Sequence, residues 1–395
     1  MNKKDFAFVD ASEKLNNEQI RKNLTYWSDA WRRLKKNKVA IVGLITIILI
    51  IIFAIFGPLF TNYSYSDQVK GFTNLPPRLT LYKTDDDTYF YFNSNYYDLY
   101  VSDEDGTLLE KLDQTNLDGV NRLVHYDLDG KDVVIDYSYK LDENNDTDLE
   151  FTIIYEGKTY SESYTRTSNK LFAWGSDNLG RDILTRVMYG TRISLFVALV
   201  ATIVNLFIGV FYGSFAGLKG GVIDQILMFI INVINSIPLL LYVILIMVIL
   251  DDTSILTIII TLGSVYWISM ARLVRGQVLA LKNQEFVLAA KSLGVNQMNI
   301  ILKHLIPNAI GPILVSLTMM IPSAIFTESF LSFIGLGASA PQASLGTLAS
   351  DSIAVFRTAF YQLLFPSATI ALLILAFNFF GDGLRSALDP KLRKG

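Results

Sequence analysis

Six apolar stretches, separated by polar segments, run along the chain. They cover residues 39–60, 193–217, 223–250, 255–271, 309–330 and 361–381. Each holds about 20 residues, the length that an α-helix needs to cross a bilayer, because a helix rises about 1.5 Å per residue. The pattern predicts an α-helical polytopic membrane protein with six transmembrane helices.

The segment before the first span, residues 18–38, is amphipathic. Its apolar residues recur at spacings of three and four, as on one face of a helix: Ile20, Leu24, Trp27, Trp31 and Leu34. Basic residues occupy the other faces. We predict an interfacial helix on an anionic membrane surface, within a cytoplasmic tail of residues 1–38, with the tryptophans at headgroup level. The alternative is a solvated tail.

The segment between the first two spans, residues 61–171, has a different pattern. Of the 20 tyrosines in the chain, 14 lie between Tyr63 and Tyr164. Runs of β-branched and aromatic residues alternate there with turn sequences such as DEDG, DLDG and EGK. These features predict a small inserted β-rich domain at about residues 80–166.

Charge is segregated in the same way. Residues 61–170 hold 22 acidic and 10 basic residues, a net charge of −12, whereas the remainder carries +9. Basic residues precede the first span, follow the fourth and fill the tail at 385–395, which places these regions in the cytoplasm. Both termini are therefore predicted to be cytoplasmic, and residues 61–171 extracellular. The acidic surface either docks a partner or only keeps the domain solvated.

The other five spans form a predicted core over residues 172–384. The second span ends with a glycine at every fourth position: Gly209, Gly213 and Gly217. A face of small residues lets another helix approach closely, so we predict helix packing there. The alternative is flexible punctuation of the chain.

Several kinds of chemistry are excluded by the residues present. The chain has no cysteine and only two histidines, His125 and His304, so neither thiol chemistry nor a metal site is predicted. No phosphate-binding loop for ATP occurs. The spans also lack the buried carboxylates of a proton relay, since Glu328, Asp382 and Asp224 lie near span ends. Energy for any transport must come from another chain.

A polar loop, residues 276–307, separates the fourth and fifth spans. Its sequence predicts a helix that Asn283 caps, with Glu285 in the first turn, where the helix dipole favours an anion. Gly294 ends that helix in a left-handed conformation. A second short helix follows, capped by Asn296 and ended by Pro307.

The first of these helices has a side without bulk at Ala289 and Ala290, on which another protein can close. The charged residues Lys291, Lys303 and His304 keep the loop out of lipid. We therefore predict a docking element, the alternative being a plain cytoplasmic loop packed on its own helix ends.

The loop resembles the segment by which membrane subunits of ABC importers dock onto their ATPases, with the pattern E-A-A, three residues, G, nine residues, I-x-L-P. The chain matches at Ala289, Ala290, Gly294 and Pro307, and departs at Leu288, His304 and Ile306. The sequence LKHLIPN is similar to the oligopeptide and dipeptide branch. Other segments resemble the C-type permease subunit of those importers, among them GSDNLGRDILTRVMYGTRISL and ESFLSFIGLG. The insertion of about 90 residues departs from the typical member.

The resemblance implies a type I ABC importer permease fold and a non-catalytic subunit in a bacterial cell membrane. It implies a sister permease, two cytoplasmic ATPases that bind ATP and magnesium, and an extracellular peptide-binding protein, with no cofactor in this chain and no nucleic acid. The loop at 283–307 would couple ATP hydrolysis to oligopeptide or dipeptide import, and His304 would be a packed loop residue. The alternatives are a permease for nickel or another small solute, a membrane sensor and a self-sufficient carrier.

Overall fold

The structure is a computed structural model that describes residues 26–138, 150–161, 164–252, 254–337 and 342–389. Residues 18–25 of the predicted interfacial helix and residues 390–395 of the predicted tail lie outside this description. The helices are α1 (Tyr26–Lys36), α2 (Lys38–Phe56), α3 (Ile183–Lys219), α4 (Gly221–Asn235), α5 (Leu239–Leu250), α6 (Ile255–Val265), α7 (Trp267–Leu281), α8 (Glu285–Ser292), α9 (Gln297–Ile300), α10 (Ile306–Leu331), α11 (Leu345–Asp351) and α12 (Phe360–Leu388).

The predicted polytopic helical body is confirmed, with one change. Five helical segments of the described chain are long and apolar enough to cross a membrane: Lys38–Phe60, Ile183–Lys219, Ile255–Leu281, Gln297–Leu336 and Phe360–Leu388. The predicted third span, 223–250, is not one straight helix, because α4 and α5 meet at 87°. Pro238 precedes α5 at this break, where its ring and missing N–H prevent α4 from continuing. The count is six only if this bent pair is one span.

Helix α3 is much longer than the predicted second span. It has 37 residues, about 55 Å at the rise of an α-helix, because residues 183–192, which precede the predicted span, are helical and continuous with it. Asp182 begins it as an N-cap, accepting a hydrogen bond from the backbone N–H of Thr185 at 2.8 Å. Farther along α3, Arg192 donates to the carbonyl of Ile55 at 2.7 Å, so this arginine fastens α3 to the end of α2.

The predicted β-rich insertion is confirmed as two antiparallel five-stranded sheets. The strands are β1 (Arg78–Lys83), β2 (Tyr89–Asn93), β3 (Asp98–Ser102), β4 (Leu108–Lys111), β5 (Asp113–Asp118), β6 (Leu123–Leu128), β7 (Lys131–Asp136), β8 (Thr152–Tyr155), β9 (Lys158–Tyr160) and β10 (Tyr164–Ser168). The first sheet has the order β10-β1-β2-β3-β4 and the second the order β5-β6-β7-β8-β9. Apolar side chains such as Phe90, Tyr126 and Ile135 are fully buried in one core that both sheets share.

Hydrogen bonds fix the insertion and the residues that flank it to the membrane body at the start of α12. The side chain of Gln362 donates to Asn74 Oδ1 at 2.8 Å and to the carbonyl of Ser176 at 3.1 Å. The hydroxyl of Tyr96 lies 2.9 Å from that of Thr358. Buried side-chain amides need partners of this kind, so the bonds give the junction a defined geometry.

Candidate functional site

The polar loop forms a short exposed helix, α8, that follows α7 after a three-residue turn. Gly294 ends this segment with φ +74°, the left-handed conformation that the sequence predicts. The helix begins one residue later than predicted, because Gln284 rather than Asn283 occupies the N-cap position, without a side-chain cap. Glu285 lies in the first turn and Lys291 in the last, an arrangement that complements the helix dipole.

The two alanines of α8 do not share one open side. Ala290 is 5% exposed and packs against the chain's own core, whereas Ala289 is exposed. Successive helix residues point about 100° apart, which separates the two methyl groups. The open side instead carries larger apolar residues, since Phe286 is 38% exposed, Leu288 48% and Leu293 83%. Together, Phe286, Leu288, Ala289 and Leu293 are called the coupling face below.

The second helix of the loop runs into the next span instead of ending at Pro307. Asn296 caps α9 as predicted, accepting from the backbone N–H of Asn299 at 2.8 Å. A π-helical turn, Ile301–Leu305, then joins α9 to α10. The wider turn accommodates Pro307, whose ring would otherwise collide with the preceding turn of an α-helix. Lys303 is exposed on this turn, and the carbonyl of half-buried His304 accepts from Asn308 Nδ2 at 2.6 Å.

Beneath the coupling face, the loop and three long helices share one hydrophobic core. The loop contributes Val287, Ala290, Ile300, Ile301 and Leu305, and the core also includes Val210 of α3, Met270, Val274 and Val278 of α7, and Ala309, Ile313 and Met320 of α10. Burial of one large aliphatic side chain contributes roughly 1.5–3 kcal/mol. Displacing the loop alone would expose several such side chains, so the packing opposes any separation of the loop from these helices.

The predicted glycine stripe of α3 lies against α7. A Cβ atom at Gly209 would lie 2.6 Å from Met270 Cβ, and one at Gly217 would lie 2.9 Å from Val278 Cγ1. At Gly213 a Cβ would collide with the carbonyl of Ala271. The backbones of α3 and α7 therefore approach more closely than any larger residue would allow.

Two cations fasten the ends of α3, α4 and α7 that lie near the loop. The guanidinium of Arg275 on α7 binds both carboxylate oxygens of Asp224 on α4, each at 2.6 Å. Lys282 donates to the carbonyl of Gly217 at 3.1 Å. A bidentate pair of this geometry fixes orientation as well as distance. The sequence marks these cations only as cytoplasmic charges, and Asp224 lies too far from Arg275 in sequence for the pair to be predicted.

Farther along α10, toward its C-terminal end, a carboxylate is enclosed by hydroxyl groups. Glu328 is fully buried and accepts from Ser194 of α3 and from Ser332 of the following π-helical turn, both at 2.8 Å. Ser344, which caps α11, donates to Ser332 at 3.2 Å. These bonds join α3, α10 and α11. The sequence indicates only that Glu328 lies near a span end, because the serine of α3 is 134 residues away.

A second polar cluster lies just before α3. Asp177 accepts from Arg181 Nε at 2.7 Å and also pairs with Arg186. Burial raises the pKa of nearby Asp182 and of Asp351, because both carboxylates lose hydration. The cluster holds the segment that leads from the insertion into the membrane body.

Comparisons with known proteins agree with the motifs in the sequence. The family model "Binding-protein-dependent transport system inner membrane component" matches residues 209–394. The "N-terminal TM domain of oligopeptide transport permease C" matches residues 25–77. The chain is 38% identical over 374 residues to the oligopeptide transport system permease protein OppC of Bacillus subtilis, covering 95% of this chain and 92% of that protein.

Other relatives differ in how much of this chain they cover. The dipeptide transport system permease protein DppC of Bacillus subtilis is 37% identical over 375 residues, covering 95% of this chain and 88% of that protein. OppC of Escherichia coli is 46% identical over 220 residues, covering 56% of this chain and 72% of that protein. The two Bacillus alignments are too long to omit the β-rich insertion. The insertion therefore has a counterpart in these two relatives.

The solved structures that are similar include chains of the MetNI methionine ABC transporter. The MetNI transporter in an inward-facing conformation gives a TM-score of 0.44 at 19% identity, covering 52% of this chain and 96% of that chain.

Proposed function

Because the chain belongs to the permease family of binding-protein-dependent transport systems, in its oligopeptide and dipeptide branch, we propose that it forms half of the translocation pathway of an ATP-driven peptide importer. It is a non-catalytic transmembrane subunit. Hydrolysis of ATP takes place on two partner ATPases, and a sister permease supplies the other half of the pathway. The names of the relatives favour peptides over nickel or another small solute.

The observation that carries this proposal is that the loop between α7 and α10 is exposed and apolar on one side and packed into the helical core on the other. Its outward side presents the coupling face, on which Leu293 is 83% exposed. A solvent-exposed apolar helix face of this kind suits insertion into a groove on another protein. Its inward side belongs to the core shared with α3, α7 and α10. A partner that grips the coupling face therefore acts directly on three long helices.

The mechanism follows from this connection. Closure of the ATPase pair on ATP would displace residues 283–305, and the shared core would carry α7 and α10 with them. Helix α3 would follow α7, because their backbones are in contact along the glycine stripe. The hydroxyl cage of Glu328 would bring α11 with α3 and α10. The helices then move as one body between an inward and an outward opening, which is the two-state element that transport requires.

The distribution of charge supports an orientation of the chain in the membrane. The polar loop, residues 276–307, is called the coupling loop from here on. Under this proposal the basic residues of α1 and the coupling loop face the cytoplasm, as do both termini. The acidic β-rich insertion lies outside, where a peptide-binding protein delivers substrate. The complex occupies a bacterial cell membrane and adopts the type I importer arrangement of two permeases over two ATPases.

The experiment compares two arginine variants in the purified, reconstituted four-subunit complex with its binding protein. Gly294→Arg places a large cation beside the coupling face, where a Cβ atom meets nothing within 4 Å. Gly157→Arg is the control, because Gly157 has φ +76°, also has open space around it, and lies in a turn of the insertion. The two substitutions therefore introduce similar backbone strain. We measure peptide uptake, nickel uptake, stimulated ATP hydrolysis and co-purification of the ATPases.

We expect Gly294→Arg to abolish uptake and stimulated hydrolysis while the permeases still pair, and Gly157→Arg to retain both. Uptake by Gly294→Arg without bound ATPases would refute the proposal and favour a self-sufficient carrier. Uptake of nickel but not peptide by the unaltered complex would refute the substrate assignment alone.

A further inference from the structure

A polar cavity of about 650 Å³ opens between the β-rich insertion and the start of α12. Strands β1, β2 and β10 line one side, and Thr358 and Tyr361 of the membrane body line another. This cavity is called the outer cleft below. Its volume lies within the range of small-molecule sites, which is roughly 300–1,000 Å³.

Strand register explains which side chains line the outer cleft. In the pairing of β1 with β10, Thr80 lies opposite Arg166 and Tyr82 lies opposite Tyr164. Arg78 is two residues before Thr80, so alternation along β1 puts it on the same face. This face carries two arginines beside two tyrosines, whereas the neighbouring positions on β1, including Leu79, point into the domain core.

The two arginines are diagonal neighbours across adjacent strands, a relation in which Cβ atoms lie about 7–8 Å apart. Both are exposed, and neither forms an ion pair with any residue that the structure describes. Four lysines of the insertion do pair: Lys83 with Asp87, Lys111 with Asp98, Lys131 with Glu156 and Lys158 with Asp85. Among the described residues nothing neutralises these two guanidinium groups, so they can bind an external anion.

Aromatic side chains provide an apolar wall next to these charges. The ring of Tyr82 lies 5.3 Å from that of Phe151 and 6.2 Å from that of Tyr164. Arg166 lies over the ring of Tyr164 at 5.9 Å, which limits the orientations of its guanidinium. The two guanidinium groups can thus donate hydrogen bonds to a carboxylate of a ligand in the cleft, and the aromatic rings can contact the ligand side chain next to that carboxylate.

Two hydrogen bonds hold the floor of the outer cleft, one from the insertion to the membrane body and one within the membrane body. Asn95 Nδ2 donates to the carbonyl of Thr358 at 3.4 Å, and the hydroxyl of Tyr361 donates to the carbonyl of Ser176 at 3.2 Å. Glu150 also lines the cavity and supplies a negative charge that suits an amino group. A cleft with a fixed floor and both charges fits a short zwitterionic chain.

Resting on the proposed function, we propose that the outer cleft binds incoming peptides through their C-terminal carboxylate. Arg78 and Arg166 donate to that carboxylate, and Tyr82 and Tyr164 contact the last side chain. The site lies beside the first turn of α12, so peptide released by the binding protein is held next to the membrane body. The insertion is then a substrate-binding element as well as a structural one.

The test measures equilibrium binding of a labelled tripeptide to the full complex in lipid nanodiscs, without the binding protein. The same tripeptide with a C-terminal amide is the second ligand. The variant Arg78→Gln/Arg166→Gln removes both guanidinium groups. The control Lys70→Gln/Lys170→Gln removes the same charge from two exposed lysines of the same segment.

We expect the unaltered complex and the lysine control to bind the free acid roughly tenfold more tightly than the amide, the usual worth of a charge-assisted hydrogen bond. The arginine variant should lose this preference while its thermal unfolding is unchanged. If the arginine variant keeps the preference, or weakens acid and amide equally, the inference is overturned. Peptide uptake is measured separately, with the same purified complexes reconstituted into proteoliposomes together with the binding protein. Failure to import any peptide there would instead refute the proposed function.

Discussion

The contact between α3 and α7 gives a prediction whose size follows from the backbone geometry. In Gly213→Ala, the added Cβ would lie 3.0 Å from the amide nitrogen of Arg275 and closer still to the carbonyl oxygen of Ala271. Both atoms belong to the backbone, so no change of side-chain rotamer relieves the contact. Ordinary contact begins at 3.4 Å, so the helices must separate by roughly 1 Å.

We expect Gly213→Ala to destabilise the folded protein. Overpacking of a well-packed interface costs about 1–3 kcal/mol, and the rigidity on both sides favours the upper end. Replacing glycine by alanine inside a helix returns about 1 kcal/mol. We therefore expect a net loss of about 1–2 kcal/mol. Gly276→Ala is the control on α7, because nothing lies within 4 Å of its Cβ, so it should gain stability.

Thermal unfolding of the solubilised complex and peptide uptake per ATP hydrolysed test this prediction. Gly213→Ala should lower the Tm and the uptake per ATP, because a gap between α3 and α7 weakens the connection from the coupling loop. Gly276→Ala should raise the Tm slightly and leave coupling unchanged. An equal rise in Tm for both variants would show that the close approach of the two backbones is absent from the protein.

Three further predictions concern single side chains. Leu293→Asp should leave the Tm within experimental error but prevent co-purification of the ATPases, because this residue is exposed; retained ATPase binding would remove Leu293 from the coupling face. Glu328→Ala should destabilise the complex by about 3 kcal/mol, since it leaves the buried hydroxyl groups of Ser194 and Ser332 without their acceptor. Glu328→Gln keeps an acceptor and should cost less. Equal Tm values for the two variants would contradict the role of these hydrogen bonds. Burial raises the pKa of Asp182 above 3.8 in the folded chain. Protonation of Asp182 therefore stabilises the folded state below that pH, and this stabilisation is lost as the pH rises through the folded pKa. At pH 7, Asp182→Asn keeps the N-cap and should therefore be at least as stable as the unaltered chain. It should also be about 1 kcal/mol more stable than Asp182→Ala, which loses the cap. The reverse order of Tm would refute this account.

Local features of the structure could be predicted from sequence, and long-range ones could not. Gly294 and Asn296 were identifiable because helix ends depend on one residue and its immediate neighbours. The π-helical turn before Pro307 could not be predicted, since periodicity does not distinguish a wider turn from a helix end. The break at Pro238 was visible as a residue, yet its 87° angle depends on packing.

The candidate site shows the same division. Motif spacing located the coupling loop, but side-chain exposure moved the open surface from the alanines to Leu288 and Leu293. The partners of Glu328 and Arg275 lie on other helices, at sequence separations of 134 and 51 residues. A polar residue near a span end gives no sign of which distant helix will satisfy it.

The bond between Gln362 and Asn74 sets an order for the biogenesis of this protein. The two residues are 288 positions apart, which a ribosome needs roughly 15 to 60 seconds to cover at 5–20 residues per second. Hairpins form in microseconds, so the β-rich insertion is complete long before α12 is made. Ala40 of α2 likewise waits for Gly383, against which it packs. The first of these helices to enter the membrane thus completes its packing only when the last is made, and a chain that stops before residue 360 leaves the α12-facing surface of α2 uncovered.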